Sequence, residues 1–202
     1  MSIFVKICGM TDEVAVAAAI EAGADALGFV FYEKSPRNLS IDNAARLGRL
    51  IPAGVAKIAV TLHPQAHLWD DIQASLQPDA LQTDIDDFAY LRVDAGIEKW
   101  PVVREGSDPH QMPEQFVYEG RASGRGQKVD WKVAAGFARQ GRMILAGGLN
   151  AANVGEALIT VRPYGVDVSS AVESAPGVKD PGRIRDFIDA AKAAGQSRGN
   201  QA

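Results

Sequence analysis

A chain of 202 residues, 47% of them apolar and with a net charge of −4 at pH 7, is long enough to bury a substantial core in one domain and too acidic to offer a nucleic-acid surface. Its single cysteine excludes an intramolecular disulfide. No apolar run approaches the roughly 20 residues that span a bilayer, and the N-terminus enters a strand rather than a basic-then-apolar leader, so a cytoplasmic protein with no membrane partner is expected.

Taken in order, Ile3 to Cys8 alternates as a strand, with Phe4, Lys6 and Cys8 on one face and Ile3, Val5 and Ile7 on the other. Gly9 stops it, and Thr11-Asp12 caps an alanine-rich helix from Glu13 to Ala22. Ala24 to Phe31 is a second, fully covered strand that ends in the loop Tyr32 to Arg37, followed by a helix over Asp42 to Leu50. Val55 to Leu62 is the third strand, Pro64 opens a helix to about Leu76, and Asp79 to Gln82 is a short fourth strand. Asp84 or Asp86 is expected to open a helix to about Ala95, ahead of a fifth strand over Lys99 to Arg104.

The polar stretch Glu105 to Pro113 reads as a loop in place of a helix, and Gln115 to Glu119 is the sixth strand, followed by a Gly/Arg-rich loop over Gly120 to Gln127. Asp130 caps a helix to about Arg139, Met143 to Ala146 is the seventh strand, and Asn150 opens a helix to Ile159. Val166 to Ser169 is the eighth strand, Asp180 opens a last helix to about Ala194, and residues 195–202 form a polar tail beyond a single domain over residues 1–194. Strands that alternate with helices demand a parallel sheet with right-handed crossovers. Eight such units predict an α/β fold, a closed (β/α)₈ TIM barrel, with an open doubly wound sheet as the alternative.

In either architecture, ligands bind at the carboxyl ends of the strands. Cys8 sits there, either as a small packed apolar residue or as a reactive thiol. A lysine on its own strand face argues for the second reading, because Lys6 would draw the thiol toward thiolate. Gly147-Gly148 after the seventh strand and Ser169-Ser170 after the eighth are two oxyanion-competent turns side by side, the recurrent phosphate site of barrels. Each alone is also an ordinary turn or cap. Arg37 suits bidentate grip of a carboxylate, or is a solvated loop arginine. Glu119 ends the strand opposite Cys8, so the two are an acid and base pair unless Glu119 is only a surface hydrogen-bonding group. His63, His67 and His110 lack metal-ligand spacing with Cys8, so no metal is expected. No GxGxxG follows the first strand, and the glycines near Gly124 do not match a P-loop.

These pieces assemble into a known pattern. Lys6-Ile7-Cys8-Gly9, Gly23-Ala24-Asp25 with Gly28-Phe29, Ser35-Pro36-Arg37, Val129-Asp130-Trp131, Ala146-Gly147-Gly148-Leu149-Asn150, Val166-Asp167-Val168-Ser169-Ser170 with Val172-Glu173, and Pro176-Gly177-Val178-Lys179-Asp180 stand in order from about Ile3 to Ala190. In this order the chain resembles the phosphoribosylanthranilate isomerase family of tryptophan biosynthesis. The resemblance implies a (β/α)₈ barrel, a cofactor-free Amadori rearrangement of a phosphorylated small-molecule substrate, and a monomer or homodimer. It also implies Cys8 as the base and Arg37 as the group facing the substrate's carboxylate, with Lys6, Gly147, Gly148, Ser169 and Ser170 around the substrate. Three departures stand out. Glu119 replaces the family's aspartate acid. Gln82-Thr83-Asp84-Ile85 replaces Gln-Leu-His-Gly, and Ser123-Gly124-Arg125-Gly126 replaces a Gly-Gly-Ser/Thr-Gly loop, with Ala171 where Ser-Ser-Gly has its glycine. A diverged phosphosugar isomerase or epimerase, or a non-catalytic phosphometabolite-binding barrel, are the competing readings. Phosphate binding alone requires neither Cys8 nor a carboxyl at Glu119.

Overall fold

The computed structural model describes residues 3–107, 111–121 and 128–199. Eight parallel strands close into a barrel in sequence order: β1 (Phe4–Cys8), β2 (Ala26–Phe31), β3 (Ala56–Thr61), β4 (Ala80–Asp84), β5 (Glu98–Arg104), β6 (Gln115–Glu119), β7 (Arg142–Leu145) and β8 (Gly165–Val168). β1 pairs with β2 on one side and β8 on the other, which completes the ring and decides for the closed barrel over the open sheet. Around it run α1 (Glu13–Ala22), α2 (Ile41–Gly48), α3 (Ala66–Leu76), α4 (Trp131–Phe137), α5 (Val154–Val161) and α6 (Pro181–Gly199).

The period-2 alternation of the strands splits the core in two. Ala26, Ile58, Ala80, Trp100, Val102, Val117, Ile144 and Ala146 fill the inside of the barrel. Residues of the opposite phase, such as Val5, Ile7, Leu27, Phe29, Leu81 and Tyr118, pack outward against Trp69, Leu158, Phe187 and the rest of the helical layer. The inward phase of β1 therefore carries Phe4, Lys6 and Cys8 up the barrel axis toward the mouth. Local chemistry sets the turns that feed the mouth. Asp12 accepts a hydrogen bond from the Ala15 amide at 2.8 Å to start α1, and Gly23, left-handed at φ 84°, ends it.

Several segments differ from expectation. Between β4 and β5 there is no α-helix but a 3-10 turn over Ile85–Ala89. The buried Asp87 accepts hydrogen bonds from Thr83 Oγ1 and the His63 amide, which pins this segment against the loop after β3 instead of letting it wind on as a helix. After β8 a short antiparallel hairpin, β9 (Glu173–Ala175) and β10 (Val178–Lys179), precedes α6. Its turn glycine, Gly177, has φ 82°, and a Cβ there would lie 2.3 Å from the Pro36 carbonyl oxygen. Its own carbonyl accepts a hydrogen bond from Thr11 Oγ1 at 2.9 Å, so the hairpin is clamped between the loops that follow β1 and β2. α6 also runs on past Ala194 to Gly199, through residues expected to be a frayed tail. His110 and the glycine-rich loop with Gly124 and Arg125 lie outside the described residues.

Candidate active site

A cavity of about 760 Å³ opens at the carboxyl ends of the strands, and Cys8, Arg37, Glu119, Gly147, Gly148, Ser169 and Ser170 all line it. One arrangement surrounds Cys8. The thiol is 7% exposed and faces Gly28 of β2; a Cβ on that glycine would lie 3.0 Å from Cys8 Sγ and 3.2 Å from Lys6 Nζ. The missing side chain leaves room for a thiol and an ammonium side by side. Lys6 is fully buried beneath Cys8, is not among the cavity-lining residues, and donates to Asp167 Oδ1 at 2.9 Å. Burial opposes the lysine's charge, but the Asp167 carboxylate more than restores it and holds the Lys6 pKa above the ordinary lysine value.

Lys6 pulls Cys8 toward thiolate as expected, but the net shift of the thiol runs the other way. Burial pushes the Cys8 thiol up, and Asp167 adds to the effect, against the opposing pull of Lys6 and Lys179. Lys6 does act in the expected direction, but desolvation in the barrel wins, and Asp167 already holds part of its charge.

A second arrangement organises Arg37. Its Nε and one terminal nitrogen donate to the two Glu173 oxygens at 2.6 and 2.8 Å, a bidentate fork, while the guanidinium remains at the cavity wall. Lys179 Nζ donates to the same Glu173 at 2.7 Å and to the Ser169 carbonyl at 3.0 Å. Burial would raise the Glu173 pKa, but hydrogen bonds from Arg37 and Lys179 outweigh it and hold the carboxyl below the usual glutamate range. The Ser169 hydroxyl donates to the Cys8 carbonyl at 3.0 Å, so it ties the end of β8 to the end of β1. Ser169 thus joins strand ends as well as lining the cavity.

The glycine turn after β7 is left-handed twice, at Gly147 (φ 88°) and Gly148 (φ 68°). It is locked from below. Asn153 Nδ2 donates to the Gly148 carbonyl at 2.9 Å, while the Asn150 side chain accepts from the amides of Ala152 and Asn153 at 2.9 and 3.0 Å. This asparagine box occupies residues expected to be the first turn of the helix, so α5 begins at Val154 instead. The backbone of Gly148 and Ser170 lies at the mouth, where N–H groups suit an oxyanion.

Glu119 stands across the mouth on β6. Its neighbour on β5, Arg104, donates to Glu119 Oε1 at 2.6 Å, and a second guanidinium nitrogen of Arg104 donates to Asp84 Oδ1 at 2.5 Å. The site thus contains Asp167, Glu173, Lys179, Arg104 and Asp84 besides the residues singled out from sequence. Arg104 and Asp167 share the inward phase of their strands and were findable on that ground. Lys179 lies in a two-residue strand with no periodic signal.

The comparisons with known proteins agree with one another. The family model described as N-(5'phosphoribosyl)anthranilate (PRA) isomerase matches residues 5–190. An N-(5'-phosphoribosyl)anthranilate isomerase of Chelativorans sp. is 38% identical, covering 96% of this chain and 98% of the relative. One of Geotalea uraniireducens is 42% identical, covering 93% and 98%. The crystal structure of phosphoribosyl anthranilate isomerase from Thermotoga maritima superposes with a TM-score of 0.83 at 30% identity, covering 95% of this chain and 99% of that one. A structure of such an isomerase in complex with reduced 1-(o-carboxyphenylamino)-1-deoxyribulose 5-phosphate superposes at 0.79, again with 30% identity and 95% and 99% coverage. The chain belongs to the N-(5'-phosphoribosyl)anthranilate isomerase family.

Proposed function

We propose that Cys8 and Glu119 are the base and acid with which this aldose-ketose isomerase converts N-(5'-phosphoribosyl)anthranilate into 1-(2-carboxyphenylamino)-1-deoxyribulose 5-phosphate in tryptophan biosynthesis. The observation that carries the reading is that one cavity presents a thiol, a carboxyl group and the two turns at Gly148 and Ser170 together with a guanidinium fixed by Glu173. In this reading the amides of Gly148 and Ser170 hold the phosphate, and Arg37 faces the anthranilate carboxylate with the edge that Glu173 leaves open.

The chemistry begins with two proton transfers by these groups, and tautomerisation of the enol completes it. Glu119 gives its proton to the furanose ring oxygen as the C1–O bond breaks, and the anthranilate nitrogen lone pair closes the C=N bond of a cationic Schiff base. Cys8 then removes the C2 proton; the C–H electrons form the C1=C2 bond and neutralise the nitrogen. The resulting enol loses its hydroxyl proton to become the ketone, and C1 gains one. No step requires a redox group. Among the described residues no cluster of three or more histidine, cysteine, aspartate or glutamate side chains could hold a metal ion. Nor is any described helix long and apolar enough to cross a membrane.

Purified protein is expected to consume N-(5'-phosphoribosyl)anthranilate with loss of the substrate's fluorescence; a folded protein that leaves the signal unchanged contradicts the reading. The phosphate assignment has its own test. Gly148→Val strains a residue held at φ 68° and puts a side chain beside the proposed phosphate, so KM should rise by about tenfold or more, as the loss of about 1.4 kcal/mol of binding implies. An unchanged KM counts against phosphate binding at this turn.

A further inference from the structure

Three strands at one side of the mouth carry a chain of charged side chains of which the reaction as described uses only Glu119. Arg104 and Glu119 are direct cross-strand partners of β5 and β6, and their side chains meet at 2.6 Å. The same guanidinium reaches back across β4 to Asp84 at 2.5 Å. The other Asp84 oxygen lies 3.4 Å from His63 Nε2, and His63 Nδ1 is 2.8 Å from Asp87. His63, Asp84, Arg104 and Glu119 all line the cavity. Two of these positions are the ones where the chain departs from its family's pattern: Asp84 in the Gln-Leu-His-Gly segment, and Glu119 in place of aspartate.

The arrangement poses a chemical problem and contains its solution. A general acid must carry a proton when substrate arrives, whereas a guanidinium at 2.6 Å favours the carboxylate. Were Glu119 the sole counter-charge of Arg104, protonating it would leave a partly buried cation unpaired, which is costly. Asp84 removes that obstacle. With a second carboxylate on a separate guanidinium nitrogen, Arg104 stays compensated when Glu119 becomes neutral, and its N–H still holds the longer glutamate side chain in place. Burial works against the charge on Arg104, but the hydrogen bond it donates to Asp84 and the charges of Glu119 and Asp84 together raise its pKa, so it remains a cation throughout.

We propose that Arg104 and Asp84 are positioning residues for the general acid: one guanidinium, shared between two carboxylates, fixes where the Glu119 carboxyl sits while allowing it to take up the proton it delivers. The proposal rests on the reading of Glu119 as the acid. Besides Arg104 and Asp84, the ionisable groups that share the cavity with Glu119 are His63 behind Asp84, Arg121 on the loop after β6, Tyr32, Lys34 and Arg37 after β2, and Cys8 and Asp167 on the far wall. Arg104→Met and Asp84→Asn each remove one side of the contact between Arg104 and Asp84, and Glu119→Gln tests the acid itself.

The test compares pH profiles of kcat/KM for wild type, Arg104→Met, Arg104→Lys, Asp84→Asn and Glu119→Gln. Removing the cation in Arg104→Met should move the limb owed to Glu119 to higher pH by about one unit, and removing the competing carboxylate in Asp84→Asn should move the same limb to lower pH by a similar amount. Loss of the tether in Arg104→Met should also lower kcat by about 10-fold to 100-fold, with KM within about threefold of wild type, and Arg104→Lys should recover part of it. A merely structural pair would not give opposite pH shifts. If Glu119→Gln is inactive while the Arg104 and Asp84 variants leave the limb in place, or shift it the same way, the positioning role is overturned and the acid stands. If Glu119→Gln retains wild-type turnover, the acid assignment falls and the positioning role falls with it.

Discussion

Replacing Cys8 by alanine is expected to lower kcat for N-(5'-phosphoribosyl)anthranilate by about 10² to 10⁴-fold, the usual worth of a general base, while substrate binding persists. The thiol is small, and alanine removes only a sulfur from a wall that Gly28 already leaves open, so the fold should survive. Cys8→Ser should be almost as poor, because a hydroxyl is too weak an acid to supply its anion near neutrality. The wild-type profile follows from the raised thiol pKa. A base must be deprotonated and an acid protonated to act, so rising pH gains thiolate at Cys8 while it removes the proton that Glu119 must deliver, and activity rests on the minor population that has both. Substrate would improve this balance by bringing a cationic Schiff base beside the sulfur. Wild-type kcat in Cys8→Ala, measured with substrate saturating, would remove the thiol from the mechanism.

The second large effect is on stability rather than rate. Lys6→Met leaves Asp167 in the barrel without the ammonium that now meets it at 2.9 Å, and breaking a buried pair on one side costs about 3 to 5 kcal/mol. Lys179 lies close enough to act electrostatically on Asp167, which places the expectation toward the lower figure. At about 2 to 4 °C per kcal/mol for a chain of this size, melting should fall by roughly 6 to 20 °C. The double variant Lys6→Met/Asp167→Asn should recover part of that loss, since the stranded charge goes with its partner. A single variant that melts like wild type would mean that the pair contributes nothing to the fold.

Much of this site is legible in the sequence because a strand has period 2 and a barrel places its chemistry at strand ends. That rule alone puts Lys6 under Cys8 and sends Cys8, Glu119, Gly148 and Ser170 to one mouth. What it does not convey is closure. Asp167 meets Lys6 only because β8 returns to pair with β1, with Lys6 and Asp167 as direct partners, a contact between residues 161 positions apart. The same limit hid the role of Glu173, which lies far from Arg37 in sequence and reaches it through the clamped β9–β10 hairpin. It also hid the competition at Cys8: composition reveals a nearby lysine, but burial, which decides the direction of the thiol's shift, belongs to the packed barrel. The helix expected after β4 failed for a related reason. Asp84 and Asp86 read as cap residues, but the neighbouring Asp87 finds its hydrogen-bond partners on the loop after β3, a tertiary contact that local propensity does not contain.

The most direct measurement on the acid–base account is the Glu119→Gln variant, compared with wild type for turnover of N-(5'-phosphoribosyl)anthranilate and for affinity toward the reduced product analogue. Glutamine keeps the size and a hydrogen bond to Arg104 but has no acidic proton to give. Affinity for the analogue should stay within about threefold of wild type while kcat falls by about 10² to 10⁴-fold, because the lost group acts on the ring oxygen and not on the phosphate or the carboxylate. Wild-type turnover by Glu119→Gln would contradict the account and transfer the role of acid to another carboxyl at the mouth.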